Sequence, residues 1–336
     1  MRRPENADRL AVAQTGTVMH RRFTAGAFAA GLILLALSAC NSSSSYFPPL
    51  PPVLTYTGVG ASDAVGVGAT QCPTAGVPAM PSPANCPGGN GYVPDLAGLL
   101  TGPKTQINLV DLGISGAVIG LDIRSDTNLC FGAPGDFITH EVPLVNAKSK
   151  VVTIFAGGND TNAIVACAVG IAMGGHDPAP FINAEIAKFG ADYATLVQGI
   201  KAASPSGVTI IVSNLPNFAL IPRGTLQPPG VQALLAQVSV ALDTMVINPS
   251  AGVTVSAVVD SRCDPRSYNA ANFSADGFHP NAAGYALFAQ NYYNQLLLGQ
   301  LGVAPLPLAS CPPYSAVAAH GAITPAEAAA AHLWRY

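Results

Sequence analysis

The chain has no surplus of basic residues: 15 Lys and Arg stand against 18 Asp and Glu. No stripe of cations gathers anywhere along it to meet phosphates, so no nucleic-acid partner is expected. No Cys-x-x-Cys pair occurs, and no cysteine lies beside a histidine at metal-ligand spacing, so no metal is expected. No Gly-x-Gly-x-x-Gly or Walker pattern follows a strand-like run, which removes the usual fingerprints of dinucleotide and nucleotide binding. No cofactor is therefore expected.

What the chain does have, at its start, is a leader. Arg21 and Arg22 run into the apolar stretch Phe23 to Leu37, which closes on Leu37-Ser38-Ala39-Cys40. A basic flank, an apolar core and small residues before a cut site read as a secretory signal over residues 1–39. The apolar stretch falls short of the about 20 residues a membrane-spanning helix needs. The final tetrad resembles the lipobox of bacterial lipoproteins, in which the cysteine is lipidated and becomes the first residue. Cys40 is then the expected lipid site, and a membrane at the cell envelope, periplasmic or surface-exposed, the expected partner. Met19 is an alternative start, because the leader counted from Met1 is long. Residues 40–52 form a Ser- and Pro-rich tether suited to holding a domain off a membrane.

Loss of residues 1–39 removes five Arg and two acidic residues, leaving 10 basic and 16 acidic residues and a net charge of −6. Of the seven cysteines, six remain once Cys40 is lipidated: Cys72, Cys86, Cys130, Cys167, Cys263 and Cys311. Six can close three disulfides in an oxidising compartment. Proximity pairs Cys72 with Cys86 as a loop staple, and the other pairings stay open.

The remaining 297 residues suffice for one large domain, expected over 53–300, with a C-terminal extension over 301–336. Apolar runs predict strands at Val53–Val59, Ile107–Leu112, Val151–Ala156, Val208–Val212 and Val253–Val259. Helical spacing covers Phe181–Ala203 and Val231–Val246, and Pro280–Leu298 reads as a helix with proline near its first turn. Thr70 to Pro94, dense in Pro, Gly, Cys and Asn, reads as a long stapled loop. Strands alternating with helices predict an α/β fold whose parallel sheet is covered on both faces. The Ala-rich tail from Ser315 has no assigned role.

Four short segments fall just after predicted strands or at the mouth of the last helix: Gly60-Ala61-Ser62-Asp63, Gly113-Ile114-Ser115-Gly116, Gly157-Gly158-Asn159-Asp160 and Asp276-Gly277-Phe278-His279-Pro280. Ends of strands are where doubly wound sheets bind ligands. An Asp three residues before a His can accept from one ring nitrogen, fix the tautomer and leave the other nitrogen free as a base. A nucleophile, a carboxamide donor and a base with its orienter are the parts of an acyl-transfer site. Each also has a plainer reading: Ser62 as a helix N-cap, Asn159 and Asp160 as turn residues, Asp276 as a cap of the last helix. His140, His176, His320 and His332 have no partner motif and are expected to face solvent. Tyr292 and Tyr293 are expected to pack within their helix.

Together the four segments resemble the blocks of the SGNH hydrolases, also called GDSL esterases and lipases, over most of the chain from Leu54 to Leu298. The resemblance implies a three-layer α/β/α fold of flavodoxin-like type with a mostly parallel central sheet. It implies Ser62 as nucleophile, His279 as base and Asp276 as its orienter. It also implies an oxyanion hole made by the backbone N–H groups of Ser62 and Gly116 and the side-chain amide of Asn159. Gly113 is the alternative to Gly116. The chain departs from the family at Ala61, where the name-giving block has Asp, so any tethering by that carboxylate must come from elsewhere, with Asp63 one candidate. The implied substrate is a lipid or small ester. Carbohydrate O-deacetylation, acyl transfer, or a non-catalytic envelope-anchored binding protein are the alternatives. Substrate choice is expected in two loops, Gly120–Ala147 and the apolar Asn217–Gly230. No Gly-x-Ser-x-Gly elbow occurs, which disfavours the α/β-hydrolase fold.

Overall fold

A computed structural model describes residues 52–69, 91–309, 311 and 323–331. The leader, Cys40, the tether up to residue 51, Cys72, Cys86, His320 and His332 lie outside the described residues.

Five strands, β1 (Val53–Gly60), β2 (Gln106–Asp111), β3 (Ser149–Phe155), β4 (Thr209–Ser213) and β5 (Ala257–Val259), make one sheet in the order β2-β1-β3-β4-β5. Every neighbouring pair is parallel. β1 and β3 are buried almost throughout and β4 entirely, as expected for central strands covered on both faces. Their polar side chains are satisfied within the sheet. The Tyr56 hydroxyl meets Thr153 Oγ1 at 2.7 Å, and Thr57 Oγ1 meets Ser149 Oγ at 2.6 Å.

In chain order the helices are α1 (Ser62–Val65), α2 (Tyr92–Leu100), α3 (Leu121–Asp126), α4 (Gly158–Met173), α5 (Ala179–Ala203), α6 (Pro222–Thr225), α7 (Pro229–Leu242), α8 (Ala282–Gln300) and α9 (Pro325–Ala329). α2 packs with α8, and α4 packs with α5 and α7, so the sheet lies between helical layers. The Tyr92 and Tyr292 rings stack at 5.0 Å, and the Tyr292 hydroxyl donates to the Ile154 carbonyl at 2.7 Å. That places Tyr292 in packing, as its position in the helix suggested. The helical run Pro229–Ser250 is apolar enough to cross a bilayer, but 56% of its most apolar window is buried within the fold.

Several elements differ from the sequence reading. The stretch read as loop up to Pro94 ends in α2, which starts at Tyr92. Pro94 sits in the first turn, where an N–H has no intrahelical partner to lose. Gly158-Asn159-Asp160, read as a turn, opens the sixteen-residue α4. Pro280 lies before the last helix rather than in it, paired with Phe273 in an isolated bridge, and Asn281 is the N-cap. β5 keeps only Ala257–Val259 of the longer run. Both expected substrate loops contain short helices, α3 and wide or tight turns over Phe137–Leu144 in one and α6 in the other.

Two disulfides are present among the described residues. Cys130–Cys167 ties the segment after α3 to α4 across 37 residues, and Cys263–Cys311 ties the β5 exit to the C-terminal segment across 48.

Candidate active site

β1 runs directly into α1, so Ser62 stands in the first helical turn at the carboxyl edge of the sheet, 1% exposed. Its Oγ lies 2.9 Å from His279 Nε2. His279 is fully buried, and its Nδ1 lies 2.6 Å from Asp276 Oδ2. Since a carboxylate only accepts, Nδ1 carries the proton and Nε2 is left to accept from the serine hydroxyl.

The Asp276 carboxylate is held from its other side as well. Oδ1 accepts from the Ser274 hydroxyl at 2.7 Å, from Phe278 N–H at 2.8 Å and from His279 N–H at 2.9 Å. Burial alone would raise this carboxyl, but the hydrogen bond and charge of His279, with the Phe278 and Ser274 donors, hold it well below the usual range. Asp276 does not cap α8: Asn281 Oδ1 accepts from Ala283 and Gly284 N–H at 3.0 and 3.1 Å. Ser62 does not cap α1 either; that position is Ala61.

Beyond β2 the chain turns at Gly116, whose φ of +84° suits glycine. Asn159, in the first turn of α4, donates through Nδ2 to the Ala117 carbonyl at 2.8 Å. Its amide is thereby brought to the Gly116 loop with a second N–H in hand. Gly157, at φ +104°, makes the turn from β3 into that helix. Asp160 reaches out of its own turn: Oδ1 accepts from Ile119 N–H at 2.9 Å, bracing the same loop. Burial pushes its carboxyl up to about 7, against the pull of the Ile119 donor. Gly113 N–H donates to Asp111 Oδ1 at 3.1 Å and is therefore occupied. Among the described residues, no acceptor takes the Ser62 or Gly116 N–H.

Two further groups belong to this region. Asp63 lies beside His279 and Tyr285; burial raises its carboxyl and the field of His279 opposes the rise. Glu141, fully buried, accepts from Gly60 N–H through Oε2 at 3.0 Å. Burial and the charges of Asp111 and Asp136 push the Glu141 carboxyl well up, against the Gly60 and Ile114 N–H groups. Sequence reasoning missed Glu141, Ser274 and Asn281. Only Asn281, a capping residue just before the helical pattern, left a legible signal. His140, expected in solvent, is instead partly buried, with Nδ1 2.8 Å from Thr139 Oγ1. His176 is exposed.

A cavity of about 40 Å³ opens beside these residues. Phe137, Phe155, Phe218, Phe273, Phe278 and Phe288 line it, and Asp63, Asn159 and Ser267 are its polar side chains. Phe278 meets Phe218 and the His279 ring edge-on at 5.5 and 4.9 Å. No group of three or more His, Cys, Asp or Glu side chains among the described residues is arranged to hold a metal ion.

The family model of the GDSL-like lipase/acylhydrolases matches residues 60–287, from the Ser62 turn through the His279 segment into α8. The chain belongs to that family. As a GDSL enzyme it acts on ester bonds. Among solved structures it resembles phospholipase A1 from Streptomyces albidoflavus, with 17% identity, a TM-score of 0.50, and 71% of this chain aligned to 98% of that one. It also resembles an extracellular lipase from Streptomyces rimosus, with 16% identity, a TM-score of 0.48, and 72% and 99% of the two chains covered. A third likeness is to the acetylxylan esterase Axe2 from Geobacillus stearothermophilus, at 20% identity, TM-score 0.41, and 74% and 94% coverage. A comparison with curated protein sequences gave no match. The GDSL fold, a five-stranded parallel sheet between helical layers, is the one described above.

Proposed function

We propose that this protein is a serine carboxylester hydrolase that works through an acyl-enzyme on Ser62. The observation carrying the reading is the continuous line from Ser62 Oγ to His279 Nε2 at 2.9 Å and from His279 Nδ1 to Asp276 at 2.6 Å. A serine hydroxyl is a poor nucleophile unless a base takes its proton during attack. His279 takes that proton as Ser62 Oγ bonds to the ester carbonyl carbon, and Asp276 stabilises the imidazolium that forms. The carbonyl oxygen becomes an oxyanion facing the N–H groups of Ser62 and Gly116 and the free N–H of Asn159. Collapse breaks the bond to the alcohol oxygen, which receives the proton from His279. Water, deprotonated by the same imidazole, then releases the acid and restores Ser62. Gly116 is preferred to Gly113 because the Gly113 N–H is already committed to Asp111.

The acyl group is proposed to be short and apolar, since the small cavity beside Asn159 is walled by phenylalanines and holds few polar partners for a sugar. The protein is further proposed to work at the cell envelope, on the strength of the Leu37-Ser38-Ala39-Cys40 tetrad. Chromogenic acetyl, butyryl and octanoyl esters, together with a fluorescent phosphonate that traps active serine, test the reading. Wild type is expected to turn over the butyryl ester best and to take the label. Ser62→Ala is expected to do neither, and an unlabelled, inactive wild type overturns the assignment.

A further inference from the structure

The nucleophile turn of this chain has Ala61 where its family carries a carboxylate, yet the turn is not left without one. The β1–β2 ladder ends at the pair Gly58 and Asp111, and beyond it the two chains run on, still bonded, towards Ser62 and Gly116. Leu112 N–H donates to the Gly58 carbonyl at 2.9 Å and Ile114 N–H to the Gly60 carbonyl at 3.1 Å. The N–H of the same residue, Gly60, donates to Glu141 Oε2 at 3.0 Å. Glu141 arrives from the wide turn Phe137–Glu141, 81 residues away along the chain, and is fully buried. Its carboxyl also feels the Ile114 N–H. One side chain thus stands at the crossing of the two turns. Gly60 lies two residues before the Ser62 N–H, and Ile114 lies two residues before the Gly116 N–H.

Other carboxylates nearby are engaged elsewhere. Asp111 accepts from Gly113 N–H, Asp160 from Ile119 N–H, and Asp63 lies beside Tyr285 and His279. We propose that Glu141 is a positioning residue for this site, setting the Ser62 and Gly116 N–H groups in register so that both meet one oxyanion. The inference rests on the hydrolase reading above. Its logic is that donors aimed at a developing charge lose effect when misplaced, a shift of about 1 Å being enough for about a hundredfold loss. A residue that merely satisfied the Gly60 N–H would matter for stability alone.

The test compares wild type, Ser62→Ala, Glu141→Gln, Glu141→Met and Glu141→Asp on the chromogenic butyryl ester, with active-site titration counting folded enzyme. Glu141→Gln keeps an acceptor of the same reach and is expected to hold kcat within about threefold. Glu141→Met keeps the length without an oxygen, and kcat is expected to fall about tenfold to a hundredfold with KM within about twofold. Affinity for a boronic acid, whose tetrahedral adduct on Ser62 resembles the oxyanion, is expected to fall by the same factor. Should Glu141→Met fail to fold, Glu141→Asp, which withdraws the carboxyl by one methylene, carries the same expectation. Wild-type kcat per titrated site in a folded Met or Asp variant overturns the role of Glu141. An inactive wild type, or an active Ser62→Ala, overturns instead the reading on which it rests.

Discussion

Replacing Asp276 by Asn changes one atom, and the surroundings of Asp276 dictate where that atom must go. Oδ1 accepts from two backbone N–H groups, Phe278 and His279, and from the Ser274 hydroxyl. Backbone N–H groups cannot turn into acceptors, so an amide nitrogen in the Oδ1 position would face two donors. The amide oxygen must take that place, and the NH₂ must take the place of Oδ2, 2.6 Å from His279 Nδ1. His279 can answer only by presenting a bare Nδ1, which moves its proton to Nε2, against the Ser62 hydroxyl. The imidazole is then a donor where a base is required. A wrong tautomer of this kind costs about 10⁴-fold in kcat, or about 5 kcal/mol of transition-state stabilisation. The assay is kcat for the butyryl ester under saturation, with folding checked by thermal melting. A folded Asp276→Asn enzyme within about tenfold of wild type would refute the tautomer argument. The same substitution bears on acid stability. The depressed carboxyl of Asp276 contributes stability that is full above the ordinary aspartate value of about 4 and is lost as pH falls below it. Asp276→Asn removes that acid-side loss, so the two proteins converge in stability as pH drops.

Other outcomes are equally specific. Asn159→Ala removes one oxyanion donor and is expected to lower kcat about 10²- to 10³-fold with little change in KM, read by steady-state kinetics. Loss of the Cys130–Cys167 disulfide, closing 37 residues, is expected to cost about 4 kcal/mol by the chain-entropy account; urea unfolding of the double serine variant measures it. Asp160 holds its proton up to about pH 7 in the fold, whereas the unfolded chain releases it near about 4. It therefore makes stability decline as pH rises through that window. Asp160→Asn keeps the acceptor for Ile119 N–H and is expected to flatten the decline in denaturant titrations at stepped pH. Cys40→Ala is expected to abolish incorporation of a labelled fatty acid and to release the protein from membranes on fractionation.

Motif positions were legible because the chemistry restricts residue type. Ser62 and Asn159 each follow a strand-like run and Asp276 and His279 precede a helical one; the sheet carries the first two to its carboxyl edge, and the segment before α8 brings His279 to Ser62. Helix α4 was hidden for two reasons. Its first residues, Gly158-Asn159-Asp160, have the composition of a turn, and from Asn159 to Val169 every side chain is buried, so no polar face marks a period. Helix α2 was hidden by Pro94, which breaks helices except in the first turn, where it sits here. Glu141 carried no signal, because a lone glutamate ordinarily faces water and only the tertiary fold buries it. Pairing among the last four cysteines likewise depends on which helix approaches which loop, information that spacing does not hold.

The hydroxyl and the imidazole that activates it are separated by 217 residues, and the imidazole belongs to the segment leading into the last long helix. Synthesis delivers them in that order, so a growing chain carries a serine that still lacks its base. The pair forms in the folded chain, where α8 packs against α2 and Tyr292 donates to the Ile154 carbonyl. Completion of folding is thus its own activation step, since the serine has no base until the segment that carries His279 is in place.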